Sequence, residues 1–432
     1  MESIWKKDLH LPTFPKLESD IKTDVLIIGG GMAGLLCAYK MRKAGIDCVV
    51  AEADRICGGV TGNTTAKITV QHGLIYDKLI NEYGIEAAQG YYFAQDNARK
   101  EYKSICSKID CNFEEKPSVV YARSDRKCLE AEVRALERIG CTATLEEKLP
   151  LPLPTAGGVR IEGQAQFQPL KFIYRIADGL NIYEHTKICA LIPGQAVTKA
   201  GKIKAKRIVV ATHFPFLNKH GLYFMKLYQH RSYVIALKKA PKLDGMYVDE
   251  NSKGMSFRSY EDMLLLGGGS HRTGKQGGCW QELEQFARTH YPNATCVARW
   301  ATQDCMTLDG IPYIGQYSNN TPNLYVATGF NKWGMTSSMV AATILSDSVQ
   351  GKKNDFAHIF DPSRSMLHPQ LGINLMEFVK GILTPTAPRC PHLGCALKYN
   401  KAEHSWDCSC HGSRFAEDGK LLNNPATSDK KM

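Results

Sequence analysis

Two cysteine–histidine pairs near the C-terminus have the residue types and the spacing of metal ligands. The sequence reads Cys390-x-His392 and Cys408-x-x-His411, with fifteen residues between the two pairs. Two thiolates and two imidazoles can bind Zn²⁺ tetrahedrally. The same side chains can hold a [2Fe–2S] cluster, with the cysteines on one iron and the histidines on the other. The segment therefore predicts a metal site of one of these two kinds, with a degenerate metal-free remnant as the third alternative.

A glycine motif near the N-terminus has the pattern of a dinucleotide-binding turn. A buried-strand pattern at 24–28 leads into Gly29-x-Gly31-x-x-Gly34, and a helical pattern and a second strand follow, ending at Glu52. The first glycine permits the turn, the second lets the backbone approach a pyrophosphate, and the third lets helix and strand pack closely. The helix N-terminus offers free N–H groups to phosphates, and Glu52 can accept a hydrogen bond from a ribose hydroxyl. This βαβ unit predicts binding of FAD or NAD.

The chain is long and apolar enough to build a frame for both motifs. Its 432 residues predict two to three domains, and 44% hydrophobic with 22% charged residues exclude a disordered or fibrous chain. Apolar patterns predict a strand at 207–212, an antiparallel sheet at 233–269 and a helix at 335–349.

The N-terminus and the cysteine content indicate a compartment. The first 22 residues lack the apolar core of a signal peptide, and no apolar stretch reaches the roughly 18 residues of a membrane span. We therefore expect a cytoplasmic protein without a membrane span. The eleven cysteines from Cys37 to Cys305 are then expected to be small, buried side chains rather than a disulfide scaffold.

Most of the chain, about residues 20–350, resembles a known family. The βαβ unit, the stretch 58–66 and the segment Asp309-Gly-Ile-Pro…Gly329…Gly334 are similar to the FAD-dependent D-amino-acid oxidase/glycine oxidase superfamily. The resemblance implies FAD rather than NAD, and an α/β fold in which a Rossmann-type FAD-binding domain is interleaved with an antiparallel-sheet substrate domain. The implied segments are 20–83, 163–215 and 301–350 for the FAD-binding domain, and 84–162 and 216–300 for the substrate domain.

The resemblance also implies three further stretches that hold the flavin. These are Thr61, Gly62, Thr64 and Thr65 along the flavin, Ala211 and Thr212 beside the adenine half, and Gly329, Trp333, Gly334 and Met335 near the pyrimidine ring. A helix N-terminus at the last stretch would stabilise a negatively charged reduced flavin. The catalytic groups stay open: Lys67 and His72 are candidates, with a surface lysine and a hydrogen-bonded structural histidine as the alternatives.

One position departs from the pattern of this superfamily. Its amino-acid oxidases hold the substrate carboxylate with an arginine three residues before the threonine of the T-x-D-G-x-P segment. That threonine is Thr307 here, and Asp304 takes the place of the arginine. Because an acid repels a carboxylate and attracts a cation, we expect a substrate other than a simple amino acid, with an amine as the candidate.

The C-terminal motif resembles the Rieske ferredoxin family, especially its cytochrome-complex type. Cys395 and Cys410 stand at matching places in the two loops, and Gly412-Ser413 follows the second. The resemblance implies that Cys390, His392, Cys408 and His411 bind a [2Fe–2S] cluster, that Cys395 and Cys410 form a disulfide, and that Ser413 bonds a bridging sulfur. Phe415 replaces the usual tyrosine, which removes a donor and predicts a potential below the top of the range of about −150 to +300 mV.

The predicted cluster lobe is small. Residues 351–384 read as a helical or looped connector, and residues 385–432 as an all-β Rieske lobe without most of its base sheet. Because so small a lobe can hardly bury its own core, we expect it to pack on the flavin domain.

Together these motifs predict an FAD-dependent oxidoreductase. It would take a hydride from a small organic substrate and pass electrons singly through the cluster to an acceptor. The alternatives are an oxygen-using amine or amino-acid oxidase with a structural cluster, and a redox sensor or electron carrier without its own substrate.

The positive charge of the chain, +11, is concentrated in one segment. Residues 195–245 contain eleven Lys/Arg and one acid. This excess predicts a docking face for an acidic electron-transfer protein, with ordinary solvated lysines as the alternative. We expect no nucleic-acid partner.

Overall fold

The computed structural model describes residues 2–7, 9, 12–385 and 388–430; positions 386–387 and 431–432 of the predicted lobe lie outside the described residues. The helices of the described chain are α1 Met32–Lys43, α2 Tyr76–Tyr83, α3 Ile85–Cys106, α4 Arg126–Arg138, α5 Pro169–Ala177, α6 Tyr223–Lys226, α7 Cys279–His290, α8 Gly334–Val349 and α9 Pro369–Leu383. Its strands are β1 Ile21–Ile28, β2 Cys48–Ala51, β3 Lys67–Ile68, β4 Glu114–Ala122, β5 Thr144–Glu146, β6 Gly157–Gln166, β7 Asn181–Tyr183, β8 Ala190–Ile192, β9 Gln195–Val197, β10 Lys202–Val210, β11 Tyr228–Lys238, β12 Met246–Asp249, β13 Ser256–Tyr260, β14 Met263–Arg272, β15 Thr295–Met306, β16 Tyr313–Gln316, β17 Leu324–Thr328, β18 Leu397–Asn400, β19 Ser405–Cys408, β20 Arg414–Ala416 and β21 Leu421–Asn423.

The first sheet contains the predicted βαβ unit. Its order is β16-β17-β10-β1-β2-β7, with β9 added on β10 and β8 on β9. The strands from β17 to β7 run parallel, and β16 is antiparallel to β17. The C-terminal half of β1 is buried throughout, as expected for a parallel strand covered on both faces, and α1 packs against α8.

The second sheet is mostly antiparallel. Its order is β15-β11-β14-β13-β12-β4-β6-β3, with β5 paired to β6 and one parallel pair between β12 and β4. The predicted combination of a Rossmann-type sheet and an antiparallel sheet is confirmed. The domain boundaries stay a prediction; β3, from segment 20–83, and β15, which spans the boundary at residue 300, both belong to the second sheet.

The C-terminal lobe is a four-stranded antiparallel sheet in the order β18-β19-β20-β21. Its small core contains Cys390, Cys395, Leu397 and Phe415. The connector is helical at α9, as predicted, and Phe378 of α9 packs against this core. Among the described residues, no helix is both long and apolar enough to cross a membrane.

Two strands separate a cavity from the C-terminal lobe. β11 and β15 pair with Tyr228 opposite Met306 and His230 opposite Asp304. Because successive side chains point to opposite faces of a sheet, one face of this pair borders the cavity and the other the lobe. The cavity side carries Tyr228, Ser232, Thr302, Asp304 and Met306, and the lobe side carries Gln229, Arg231 and Gln303.

The cysteine prediction needs correction. Of the eleven cysteines outside the C-terminal cluster, Cys128 and Cys279 are half-buried, and Cys189 and Cys296 are exposed. Cys189 precedes the β8–β9 hairpin at the margin of the first sheet, and Cys296 lies near the start of β15, the edge strand of the second sheet. Both cysteines are exposed because they lie at the margins of their sheets. The other seven are buried, as expected.

Candidate functional site

The glycine turn between β1 and α1 has the geometry of a phosphate cradle. Gly29 has a φ of +110°, and a Cβ there would lie 2.5 Å from the carbonyl oxygen of Ala211. A Cβ on Gly34 would lie 1.9 Å from the carbonyl oxygen of Gly29. A Cβ on Gly31 would have only Thr61 Oγ1 nearby, at 3.5 Å. Packing therefore requires the first and third glycines, whereas the second leaves open the space that a pyrophosphate needs.

Glu52 is fixed beside this turn. Its carboxylate accepts hydrogen bonds from the backbone N–H groups of Gly30 at 2.7 Å and Asp54 at 2.9 Å. Burial raises the pKa of Glu52 above its ordinary value. The side chain is thus held at the end of β2, where the ribose role predicted for it can be performed.

The threonine stretch is held by contacts from distant parts of the chain. Thr61 Oγ1 accepts a hydrogen bond from the Met32 N–H at 3.0 Å, and the Thr64 carbonyl accepts one from Trp5 Nε1 at 2.6 Å. The buried guanidinium of Arg258 donates to the carbonyl oxygens of Thr65 and Ala66. Trp5 and Arg258 were not predicted, because nothing in their local sequence patterns indicates these long-range contacts.

The turn between β17 and α8 borders the cavity. Asn331 and Lys332 have φ angles of +50° and +74°. The Asn331 amide donates to the Gly329 carbonyl and accepts from the Thr307 N–H, both at 2.8 Å. These bonds hold the irregular turn so that the N-terminus of α8, which begins at Gly334, faces the cavity.

The cavity has a volume of about 470 Å³ and lies between the second sheet and the turn that leads into α8. It brings together predicted residues from distant positions: Thr64, Thr65, Lys67, His72, Asp304, Trp333, Gly334 and Met335. Of the other predicted flavin residues, the three motif glycines, Glu52, Thr61, Gly62, Ala211, Thr212 and Gly329 do not line it.

His72 has the contacts of a structural residue. Its Nδ1 is hydrogen-bonded to the Tyr91 hydroxyl at 2.7 Å, and its Nε2 lies 3.0 Å from the Thr69 carbonyl oxygen and 3.1 Å from Thr336 Oγ1. The ring stacks on Trp333, and burial lowers its pKa to about 3. With both nitrogens engaged, these contacts favour the structural interpretation.

Lys67 has a different environment. Its Nζ donates a hydrogen bond to Thr65 Oγ1 at 3.0 Å. Burial, assisted by the charge of Arg258, lowers the pKa of Lys67 to about 7. This amine can therefore exchange a proton near neutral pH, and Lys67 remains a candidate catalytic residue.

Asp304 is the one acid on the cavity face of β15. Burial raises its pKa to about 6, against the opposing charges of Lys332 and Arg231. His230 lies opposite Asp304 on β11, and its buried Nδ1 has no hydrogen-bond partner. Burial and the charge of Lys332 lower the pKa of His230 to about 3, so the imidazole is neutral. Asp304 is one of four acids that border the cavity, with Asp249, Glu250 and Asp309, and the charge of Lys332 acts on it.

The predicted cluster ligands come together in the C-terminal lobe. Cys390 and Cys408 are buried, and their thiols are within hydrogen-bonding reach of each other. The rings of His392 and His411 are 4.9 Å apart at 89°. His392 Nε2 bonds Asn218 Oδ1 at 2.9 Å, whereas its buried Nδ1 has no partner. An unpaired buried imidazole nitrogen in a lobe with a core of thiols fits a metal ligand.

Cys395 and Cys410 lie beside the predicted ligands. The sulfur atoms of these two residues and of Cys408 lie within 4.8 Å of one another, and both residues are free thiols in the structure. Gly381 of α9 packs on the pair, since a Cβ there would lie 2.6 Å from Cys410 Sγ. The disulfide stays a prediction, as does the role of Ser413, whose Oγ accepts from the Ala426 N–H at 2.9 Å.

The lobe packs on β11 and β15 through polar contacts around His411. Gln229 Nε2 donates to the His411 carbonyl, and Gln303 Nε2 to the Gly412 carbonyl, both at 2.8 Å. The His411 side chain is only 4% exposed and meets the edge of Phe214. The face of the lobe with this histidine is therefore turned toward the two larger sheets. The roles of Gln229 and Gln303 were not predicted, because each glutamine alternates along its strand with residues that line the cavity.

The basic segment does not form one surface. Lys226 is buried with its Nζ donating to the Pro362 carbonyl, and buried Arg231 pairs with Glu403. Lys206 and Lys238 pair with acids on their own sheets. Lys226 and Arg231 are therefore not available to a partner protein, and the docking face for an acidic protein stays a prediction that rests on the exposed lysines of the segment.

Comparison with known proteins separates the part of the chain that contains the glycine turn from the C-terminal lobe. The family model "FAD dependent oxidoreductase" (DAO) matches residues 24–348, and the model "Rieske [2Fe-2S] domain" matches residues 365–431. A relative from Bacillus subtilis (strain 168), named "Putative Rieske 2Fe-2S iron-sulfur protein YhfW", is 36% identical over 100% of this chain and 97% of its own length.

Two more distant relatives cover about four fifths of the chain. Gamma-glutamylputrescine oxidoreductase of Escherichia coli (strain K12) is 23% identical over 79% of this chain and 87% of its own length. The crystal structure of glycine oxidase from Geobacillus kaustophilus superposes with a TM-score of 0.68 at 19% identity, covering 80% of this chain and 99% of that one. At this identity the structure supports the fold alone.

Proposed function

Because the chain belongs to the DAO family of FAD-dependent oxidoreductases and carries a Rieske [2Fe–2S] domain, we propose that it oxidises a small amine and passes the electrons singly to an external acceptor. When bound, FAD accepts a hydride and the [2Fe–2S] cluster accepts one electron at a time. The pair thereby suits an enzyme that couples a two-electron oxidation to a one-electron acceptor.

The burial of His411 is the observation that carries this proposal. A cluster ligand that donates and accepts electrons only with outside partners would be expected at an exposed tip. Here the histidine is turned inward, against strands that line the cavity on their other face. One layer of backbone therefore separates the proposed flavin site from the proposed cluster site.

We assign both cofactors to the residues described above. The proposed FAD ligands are Gly29, Gly31, Gly34, Glu52, Thr61, Gly62, Thr64, Thr65, Ala211, Thr212, Gly329, Trp333, Gly334 and Met335. The proposed cluster ligands are Cys390, His392, Cys408 and His411, with Cys395 and Cys410 as the disulfide. The open space at Gly31 and the unpaired Nδ1 of His392 support these assignments.

The charges of the cavity support an amine substrate. In the proposed reaction the bound ammonium group gives up one proton, which the neutral Lys67 amine can accept, and the neutral substrate amine then loses a hydride from its α-carbon to leave an iminium ion. Asp304 would hold the ammonium group, since a carboxylate in a buried wall attracts a cation strongly. Asp249, Glu250 and Asp309 also border the cavity and attract a cation, whereas Lys67, Lys78 and Lys332 could bind an acidic group elsewhere on the amine.

Anaerobic stopped-flow reduction tests the electron path. The purified holoenzyme is mixed with an amine panel, and flavin absorbance and the cluster EPR signal are followed. We expect flavin bleaching followed by cluster reduction in the wild type, bleaching alone in Cys408→Ser, and wild-type behaviour in the exposed-cysteine control Cys296→Ser. A wild-type cluster that stays oxidised while the flavin bleaches would contradict electron transfer from the flavin to the cluster.

A second assay with the same variants, carried out in air, separates the alternatives. Stoichiometric peroxide formation in air that is unaffected by Cys408→Ser would favour an oxygen-using oxidase with a structural cluster. A redox sensor or carrier without a substrate is disfavoured by the cavity of about 470 Å³ with its charged wall.

We further propose a cytoplasmic enzyme, which the eleven free cysteines outside the cluster support. An acidic carrier protein is one candidate acceptor, because Lys202 and Lys204 remain exposed on β10. Its reduction would slow steeply as ionic strength rises. A rate that is independent of salt would exclude this class of acceptor.

A further inference from the structure

Helix α9 has its polarity reversed relative to an ordinary surface helix. Its outward side chains are aliphatic and between 43% and 73% exposed at Ile373, Leu375, Met376, Val379 and Leu383. Leu367, just before the helix, is 87% exposed. A surface helix normally presents its polar face to water and buries the apolar one. A contiguous aliphatic face on the outside marks an interaction surface.

The inward face of α9 is fully used by contacts within the protein. Asn374 accepts a hydrogen bond from Arg272 at 2.9 Å and donates one to the Met225 carbonyl at 3.2 Å. Glu377 pairs with Lys275 at 2.6 Å. Gly381 packs on the thiols of the lobe. Rotation of the helix to bury its apolar side would break all of these contacts, so the outward aliphatic face is a fixed feature of the fold.

Two positively charged side chains, Lys380 and Arg389, border this face. Lys380 is the one charged residue among the outward positions of α9. At the C-terminal end of the helix, the guanidinium of Arg389 donates to the carbonyl oxygens of Ile382 and Thr384. Exposed Leu222, beside the short α6 that packs against α9, extends the apolar surface. The whole chain has a net charge of +11.

These features fit a lipid surface better than a protein. Protein interfaces concentrate their binding energy in Trp, Tyr and Arg, whereas the exposed large side chains of α9 are all aliphatic. A second copy would bring two positively charged molecules and two copies of Lys380 together. An interfacial helix, in contrast, buries an aliphatic face among acyl chains and keeps lysine and arginine at the level of anionic headgroups.

We propose that α9 docks the protein on the surface of an anionic lipid bilayer, with Ile373, Met376, Val379 and Leu383 inserted and Lys380 and Arg389 at the headgroups. This docking does not depend on the proposed reaction. It would place the cluster lobe, which packs on the inward face of the same helix, next to the membrane.

Co-sedimentation of the holoprotein with vesicles tests the proposal without any substrate. The probes are vesicles of equal parts phosphatidylglycerol and phosphatidylcholine, and vesicles of phosphatidylcholine alone. We expect wild-type protein to bind the anionic vesicles and Met376→Ser/Val379→Ser to bind them at least about 10-fold more weakly. The matched control Ile192→Ser/Val297→Ser changes two equally exposed aliphatic residues on other elements and should bind like the wild type.

Three results would overturn the proposal. The first is wild-type protein that does not bind anionic vesicles, and the second is equal loss of binding in the control pair. The third is a lipid-free dimer, seen by analytical ultracentrifugation, that Met376→Ser/Val379→Ser dissociates, since α9 would then face a second copy. Flavin and cluster absorbance of each variant reports whether it is folded.

Discussion

At the scale of a single residue, Asp304 is the acid that β15 contributes to the cavity. It occupies a position where the resembling amino-acid oxidases carry an arginine, and it lies opposite neutral His230 in the wall between β11 and β15. Burial raises its pKa to about 6, so the carboxylate is charged at neutral pH and becomes neutral in mild acid. Its attraction for an ammonium group therefore disappears as the pH falls through about 6.

We expect the kcat/KM of the enzyme for the proposed amine substrate to fall about tenfold per pH unit below pH 6 and to level off above it, because kcat/KM reports groups of the free enzyme. Asp304→Asn should lower kcat/KM roughly 10- to 100-fold at pH 7.5, the value of a hydrogen bond to a charged group. It should also abolish the limb near pH 6. Steady-state pH profiles measure both effects.

The surface variant Asp262→Asn is a suitable control, since Asp262 is an exposed acid paired with Lys238 far from the cavity. It should leave the profile unchanged. If Asp304→Asn retained FAD and still showed the decrease of kcat/KM below pH 6, another group would be responsible for the titration. Asp304 would then not be the residue that binds the ammonium group.

Residue-scale prediction from sequence succeeded where the backbone itself imposes the residue type. Gly29 and Gly34 could be predicted because any side chain there collides with backbone atoms of the same turn or of the adjoining strand. Arg258 and Trp5 could not, because each acts on the threonine stretch through a contact formed only after distant segments have packed together. The sequence contains no local pattern for such contacts.

At the scale of elements, a buried ion pair fixes the lobe to β11. Arg231 and Glu403 are 6% and 9% exposed, and the Tyr233 hydroxyl also donates to Glu403. Burial alone would raise the pKa of Glu403, but Arg231 and Arg414 outweigh it and lower that pKa to about 2. The carboxylate therefore stays charged at every pH in which the enzyme would be studied.

We expect Glu403→Ala to destabilise docking of the lobe by about 3–5 kcal/mol, because the substitution leaves Arg231 buried without its acid. Arg414 keeps a partner in Asp407 at 3.0 Å. Urea unfolding followed separately by cluster and flavin absorbance should show the cluster signal lost at lower urea than the flavin signal. Wild-type protein should lose the two signals closer together.

The control for this variant is Glu417→Ala, which removes an exposed acid of the same lobe. It should leave both transitions in place. If Glu403→Ala also left them coincident, the docked lobe would not depend on the buried pair, and the contacts of Gln229 and Gln303 would have to account for it.

For the whole molecule, the two families and the α/β architecture could be predicted because each motif is local and its neighbours in sequence are also its neighbours in space. The packing of the lobe on the flavin domain was expected from its size. The face by which it docks was not, since the burial of His411 depends on Phe214 and Gln229, nearly two hundred residues earlier. The exposed aliphatic face of α9 was not predicted either, because an apolar helix in a sequence is expected to be buried.

The inward orientation of His411 also has a consequence for how the rate of cluster reduction depends on solvent viscosity. A carrier lobe that swings between donor and acceptor slows in proportion to solvent viscosity, whereas a lobe held by Gln229, Gln303 and Arg231 has no such motion to complete. We expect the rate of cluster reduction after flavin reduction to stay constant when glycerol raises the viscosity about threefold. A proportional decrease would mean that the lobe detaches in each turnover. With the lobe fixed, diffusion enters the catalytic cycle only through molecules that travel to the protein.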